Sequence, residues 1–338
     1  MRVAVLGAGR IGSFRARVLK ELPEVDGIFI GNRTVERAEK LAGEVNGKGG
    51  TIQEALDSGP DAVFVSLATE LHAEWLHRCI DAGLPIFSEK PIALTLKETA
   101  DVLDHAENAD ALIQVAFQRR LDPDYRKAYE EVRSGSLGTL YIIRITAHDA
   151  EPAPEEFIVS SGGTYRDLHI HDFDLARWLT GLEVEQVYAV GSVRGFDRYA
   201  NFGDVDNAAI LMTMTDGLPV IVTGTRHNPR GHDFRIEVFG SEDSLSVGQN
   251  SLSQPRPVEP STPTPTEGPY QDFMERFGES LRRETKTFIE VIKGERENPS
   301  PPASAMEALR VAVACEVSRR EGRPIKVAEI QDEPGGFF

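Results

Sequence analysis

The sequence has little cysteine: Cys79 and Cys315 are its only two in 338 residues, and neither belongs to a paired motif. That excludes zinc ribbons and disulfide frameworks and makes a reducing compartment the default. No apolar run reaches the ~18 residues that a membrane span requires, and the first apolar segment, Val3 to Leu6, is too short for a secretory signal. Basic charge is also scarce, with 37 Lys and Arg against 54 Asp and Glu, a formal net charge of -17. Such a surface repels polyphosphates, which disfavours nucleic acid or an anionic membrane as the main partner. Internal repeats are absent as well. What is present is 40% hydrophobic and 27% charged, a globular composition, in a chain long enough for two domains. The expectation is a cytoplasmic protein without membrane or nucleic-acid partners.

The first 120 residues alternate short apolar runs with helical-period segments. Val3–Leu6, Gly27–Ile30, Ala62–Val65, Pro85–Phe87 and Ala111–Val115 are bounded by Gly, Pro, Asp or Asn, as buried parallel strands are. With helices such as Thr34–Ala42 and His72–Ala82 between them, this is the βαβ pattern of a doubly wound parallel sheet, a Rossmann domain over 1–120. From about residue 135 the rhythm changes. Leu140–Ala147, Val184–Val193, Ala208–Thr215, Pro219–Thr225 and Phe234–Phe239 read as strands, and the last three leave no room for crossover helices. An α+β domain with a mostly antiparallel open sheet is predicted over 121–338, with one helix from Asp167 to Leu179 and others at Phe273–Ile292 and Ala303–Glu321. Residues 254–269, with six prolines, read as an extended arm, and 332–338 as a frayed tail.

Gly7-Ala8-Gly9-Arg10-Ile11-Gly12 follows the first strand and opens a helix. Gly7 suits the tight turn, Gly9 lets the backbone approach a pyrophosphate, and Gly12 lets helix and sheet pack closely, while N–H groups at the helix start meet the phosphate. A plain glycine turn is the alternative. At the end of the second strand, Gly31-Asn32-Arg33-Thr34 contains no acid to hold a ribose 2′-OH, and Arg33 could pair with a 2′-phosphate or stack on adenine. NADP preference, or use of both NAD and NADP, is therefore expected; a solvated Arg33 is the alternative.

Ser88-Glu89-Lys90-Pro91 at a strand end, after the glycine fingerprint and before an antiparallel sheet, resembles the Gfo/Idh/MocA family of oxidoreductases. The likeness extends to Thr69-Glu70-Leu71-His72, to Phe117–Pro123 and to Gly162-Gly163-Thr164-Tyr165-Arg166-Asp167-Leu168-His169-Ile170-His171-Asp172-Phe173-Asp174, and is strongest with the inositol 2-dehydrogenase branch. It implies oxidation of a secondary hydroxyl of a cyclic polyol or sugar, a homotetramer, a cis Lys90–Pro91 bond, and Lys90, Asp167 and His171 as catalytic residues. Thr69, His72, Glu89, Lys90 and Gln118 join Gly7, Gly9, Arg10, Ile11, Gly12, Asn32 and Arg33 as cofactor contacts. Lys90, Arg120, His148, Asp167, His171, Asp174 and His232 are implied substrate contacts; a salt bridge at the domain junction is the alternative for Arg120. His232 stands where that branch suggests an aromatic residue, which leaves another pyranose or a ketosugar open as substrate.

Hydride transfer from an alcohol requires a base for the hydroxyl proton and a cation or donor for the developing alkoxide. His171, with an ordinary pKa of about 6.5, suits the first task, Lys90 the second, and Asp167 would orient both. On a uniform helix Asp167, His171, Asp174 and Trp178 share a stripe roughly 60° wide, whereas His169 and His171 fall about 200° apart. The second angle argues against a metal site at His169-Ile170-His171, and none is expected. A structural His171 and a helix-terminal Asp167 are the plainer alternatives. A non-catalytic dinucleotide sensor is the competing function. An open sheet with a face to bury also predicts a homo-oligomer.

Overall fold

The computed structural model describes residues 1–249 and 269–331, so the proline-rich arm up to residue 268 and the tail 332–338 lie outside the described residues. The chain divides into two compact units, Met1–Gln118 with Ser280–Met306, and Arg119–Glu279 with Glu307–Phe338. This differs from a single boundary near residue 120. Residues 280–306 belong to the first unit because Phe288 and Ile289 enter its apolar core, where Phe288 meets Phe64 edge-on at 5.2 Å. Burying a phenylalanine contributes roughly 1.5–3 kcal/mol.

In the first unit β1 (Arg2–Leu6), β2 (Gly27–Gly31), β3 (Lys48–Gly50), β4 (Ala62–Val65), β5 (Ile86–Ser88) and β6 (Ile113–Val115) form one sheet in the order β3-β2-β1-β4-β5-β6. Every pairing is parallel. The order reverses between β1 and β4, so the carboxyl ends of these two strands form the switch point where such sheets take ligands. The short strand β3 was not anticipated. Its Lys-Gly-Gly has no strand propensity, but the bare Cα of Gly49 lies where a Cβ would come within 2.5 Å of the Glu39 backbone.

The second unit contains β7 (Leu140–His148), β8 (Val184–Ser192), β9 (Asn207–Met214), β10 (Pro219–Thr225), β11 (Asp233–Gly240), β12 (Ser244–Val247) and β13 (Ile325–Lys326). Their order is β12-β11-β7-β10-β9-β8-β13, antiparallel except between β7 and β10. Alternation sends Ile143, Ile145, Ile210, Met212, Val220, Val222, Ile236 and Val238 into the core. On the opposite face Tyr188, Leu211 and Ile221 stand in one cross-strand row and remain exposed. Among the described residues no helix is long and apolar enough to cross a membrane.

Candidate active site

The three loop glycines have different surroundings. Gly7 has φ +112°, and a Cβ on it would lie 2.2 Å from the Ser66 carbonyl oxygen; one on Gly12 would lie 2.0 Å from that of Gly7. Both positions are closed to side chains. Around Gly9 nothing lies within 4 Å of a Cβ position, so open space adjoins the start of the helix Arg10–Lys20. Gly9 caps that helix without a side-chain bond to its first N–H groups, and Arg10 is exposed. A helix start beside open space fits a dinucleotide pyrophosphate. Half-buried Ile11 occupies its first turn.

Asn32 serves the same loop. Its Oδ1 accepts from the Ala8 N–H at 3.1 Å and its Nδ2 donates to the Thr34 carbonyl at 3.0 Å, tying the β2 end to the glycine turn. Arg33 beside it is exposed.

At the end of β5, Glu89 Oε1 accepts from Arg15 Nε at 2.6 Å. The Arg15 guanidinium is wholly buried, lies over the Phe87 ring at 4.1 Å, and also donates to Glu284 Oε2 at 2.8 Å and Thr285 Oγ1 at 3.0 Å. Burial pushes the Glu284 carboxyl up to about 7 despite Arg15. Lys90 comes next, half-buried, and the Lys90–Pro91 bond is cis. His72 is buried with its ring nitrogens 2.8 Å from the Pro91 carbonyl oxygen and 3.1 Å from that of Leu67. Burial lowers its pKa while the two carbonyl oxygens oppose that shift, and the ring stands between the Pro91 turn and the segment after β4. Thr69 opens the preceding 3₁₀ turn Thr69–Leu71, and Gln118 is buried at the start of the 3₁₀ turn Gln118–Leu121.

In the second unit the helix predicted from Asp167 has two parts. Tyr165–His169 is a π turn, which continues as the α-helix Ile170–Thr180. Asp167 therefore sits on a wider turn than His171, and the uniform 100° spacing does not hold between them. Arg226, buried just beyond β10, donates to Asp167 Oδ2 at 2.9 Å and to Asp149 Oδ2 at 3.0 Å. His171 is half-buried with its Nδ1 inside the protein. His169 is fully buried; its Nδ1 bonds Asp172 Oδ2 at 2.8 Å, and Asp172 Oδ1 accepts from Arg119 at 2.5 Å.

The other expected substrate contacts are arranged in two groups. Arg120 and Asp174 are both buried and form a two-bond pair, at 2.9 and 2.6 Å. A hydroxyl meeting either side chain would meet the pair as one neutral unit. His148 faces Asp233 in the β7–β11 register, and burial, with Arg235 and His169 nearby, pushes its pKa down to about 4. His232 stacks on Phe234 at 4.3 Å, has Phe273 and Phe277 edge-on, and its Nδ1 lies 3.7 Å from Asp149 Oδ1.

Family models match both parts of the chain: the oxidoreductase family with an NAD-binding Rossmann fold over residues 1–117, and the GFO/IDH/MocA C-terminal domain over 125–246. The chain belongs to the Gfo/Idh/MocA oxidoreductase family. The myo-inositol 2-dehydrogenase of Thermotoga maritima is 34% identical, covering 98% of this chain and 99% of the relative. The scyllo-inositol 2-dehydrogenase (NAD(+)) of Bacillus subtilis is 31% identical over 97% of this chain and 96% of its own. A crystal structure of a putative myo-inositol dehydrogenase from Sinorhizobium meliloti superposes with a TM-score of 0.89 at 31% identity, over 97% of this chain and 99% of that one.

Within this Gfo/Idh/MocA chain, sequence reasoning missed Arg15, Glu284, Arg119, Asp149, Asp172 and Arg226. Glu284 shows faintly as an acid among the apolar positions of a long amphipathic helix; Asp172 has one local partner, His169, and the rest carry no local pattern, because their partners are remote in sequence.

Proposed function

We propose that this oxidoreductase oxidises a secondary hydroxyl of a cyclic polyol to a ketone by hydride transfer, as an inositol 2-dehydrogenase does. The observation that carries the reading is an open glycine cradle in a chain similar over 98% of its length to a myo-inositol 2-dehydrogenase, with Lys90 after β5 and Asp167 and His171 on the π–α helix. When bound, a nicotinamide would supply the hydride acceptor. Gly7, Gly9, Gly12 and the N–H groups of Arg10 and Ile11 would hold its pyrophosphate, with Thr69 and Glu89 toward the nicotinamide half. His171 takes the hydroxyl proton at Nε2, Lys90 stabilises the alkoxide, and Asp167 orients the ring. His148, neutral at physiological pH, and the Arg120–Asp174 pair meet further hydroxyls.

Exposed Arg33 and the lack of an acid beside it support use of NADP or of both dinucleotides. The exposed row Tyr188, Leu211 and Ile221 supports a homo-oligomer built on that sheet face, a tetramer in the reading from the family. Two buried free thiols, Cys79 and Cys315, fit a cytoplasmic setting. His232 in its Phe cluster favours a second reading, the same chemistry on another pyranose. The test is a panel of inositols, aldoses and sugar acids with NAD and NADP, read at the reduced-nicotinamide absorbance. Turnover of an inositol is expected; turnover of an aldose alone selects the second reading, and silence on every alcohol with both cofactors overturns both.

A further inference from the structure

We propose that Arg226 is a positioning residue for the reaction, fixing the Asp167 carboxylate with Asp149 as the second anchor of the same guanidinium; this rests on the reading of Asp167 as a reacting-site residue. Arg226 is held from all sides. Its backbone N–H donates to the Asp206 carbonyl at 2.8 Å, and Asp206 in turn accepts from the N–H groups of Arg194, Gly195 and Phe196. Its Nε points to Thr164 Oγ1 at 3.4 Å, and Thr164 is itself bonded to Asp204 and the Val205 carbonyl. The fork then meets carboxylates from two different segments: Asp149, which follows β7 and is tied to Thr225 by its own N–H at 2.9 Å, and Asp167 on the π turn.

The side chain of Arg226 is 4% exposed, against 20% for Asp149 and 15% for Asp167. The cation is thus inside and the two carboxylates reach toward the surface from it. One buried guanidinium between two carboxylates does two things. Its planar fork fixes the direction of each carboxylate more narrowly than a lysine would. It also separates two like charges, which without it would repel one another and favour protonation of one. Burial raises the Asp149 pKa while Arg226 opposes that rise, as this predicts. Tyr199 and Asp204 are the other titratable groups that act on the guanidinium.

The test compares Arg226→Gln, Arg226→Lys, Asp149→Asn and the double variant Arg226→Gln/Asp149→Asn by kcat, KM and the pH profile of kcat/KM, with dinucleotide binding and thermal melts measured in parallel. Arg226→Gln is expected to lower kcat by about 10²-fold and to move the acidic limb of the profile to higher pH, with dinucleotide binding unchanged. The double variant is expected to recover about tenfold by removing the competing charge, and guanidinium ion added to Arg226→Gln to restore part of the rate. Should Arg226→Gln not fold, Arg226→Lys must keep the limb in place while losing rate. Wild-type kcat in Arg226→Gln, or a loss with neither a shifted limb nor relief by Asp149→Asn, overturns the proposal. Asp167→Asn separates the two claims: wild-type turnover there removes the underlying reading, whereas impaired Asp167→Asn beside unaffected Arg226→Gln removes this inference alone.

Discussion

The Cα of Gly224 lies against the imidazole of His169, so that a methyl group on Gly224 would come within 2.2 Å of His169 Cε1 and 2.4 Å of Nε2. The ring has little freedom to retreat, because its Nδ1 is bonded to Asp172, which Arg119 holds from the other side. Gly224→Ala is therefore expected to force the ring from Asp172 and to cost roughly 1–3 kcal/mol, typical of overpacking. Urea unfolding checks this. An unchanged midpoint would show that the ring gives way freely.

Glu284 links stability to pH. Its folded carboxyl, pushed up to about 7 from an ordinary 4.5, holds a proton that the unfolded chain has already released. The stabilisation is full below pH 4.5 and is lost as pH rises toward 7, on the order of 3 kcal/mol over the window. Glu284→Gln keeps an acceptor for Arg15 and removes the titration. Melting curves from pH 5 to about 8 should fall less steeply for the variant than for the parent; parallel curves would contradict the assignment.

Arg33 is exposed and Asn32 is engaged by the loop, so the two neighbours separate in mutagenesis. Arg33→Ala should raise KM for NADP about tenfold or more with little change for NAD, since an exposed charge-assisted contact to the 2′-phosphate is what is removed. Asn32→Ala should weaken both dinucleotides alike by loosening Ala8. Equal effects of Arg33→Ala on both would show that Arg33 does not select.

Leu211 is 46% exposed at the centre of the apolar row of the open sheet. Leu211→Lys is expected to shift the protein to a smaller species in light scattering while leaving dinucleotide affinity unchanged. The same mass as the parent would place the oligomer interface elsewhere.

Both sheets were legible because their patterns are local. Continuous apolar runs marked β1 and β4, and short apolar segments with no room for crossover helices between them marked β9 and β10. The strand β3 was not, since two glycines carry no such signal. The π turn was invisible because a periodicity argument assumes one pitch, and its consequence is that Asp167 and His171 are related differently from a uniform helix. Lys90, Asp167 and His171 are proposed from motifs alone. The ion pairs around them were not legible: Arg15 and Glu284 are 269 residues apart, Arg119 and Asp172 are 53, and nothing in either local sequence points to its partner. Arg120 shows the converse, since a basic side chain that reads as a substrate donor is engaged by Asp174 in the folded chain.

The most direct test of the central claim uses myo-inositol carrying deuterium at its carbinol carbons. Turnover with NAD or NADP is predicted to place one deuterium on the reduced nicotinamide ring, to slow in a primary isotope effect, and to fall by roughly 10²–10⁴ in His171→Ala with dinucleotide binding retained. Reduced nicotinamide without deuterium, or His171→Ala turning over at the wild-type rate, would contradict it.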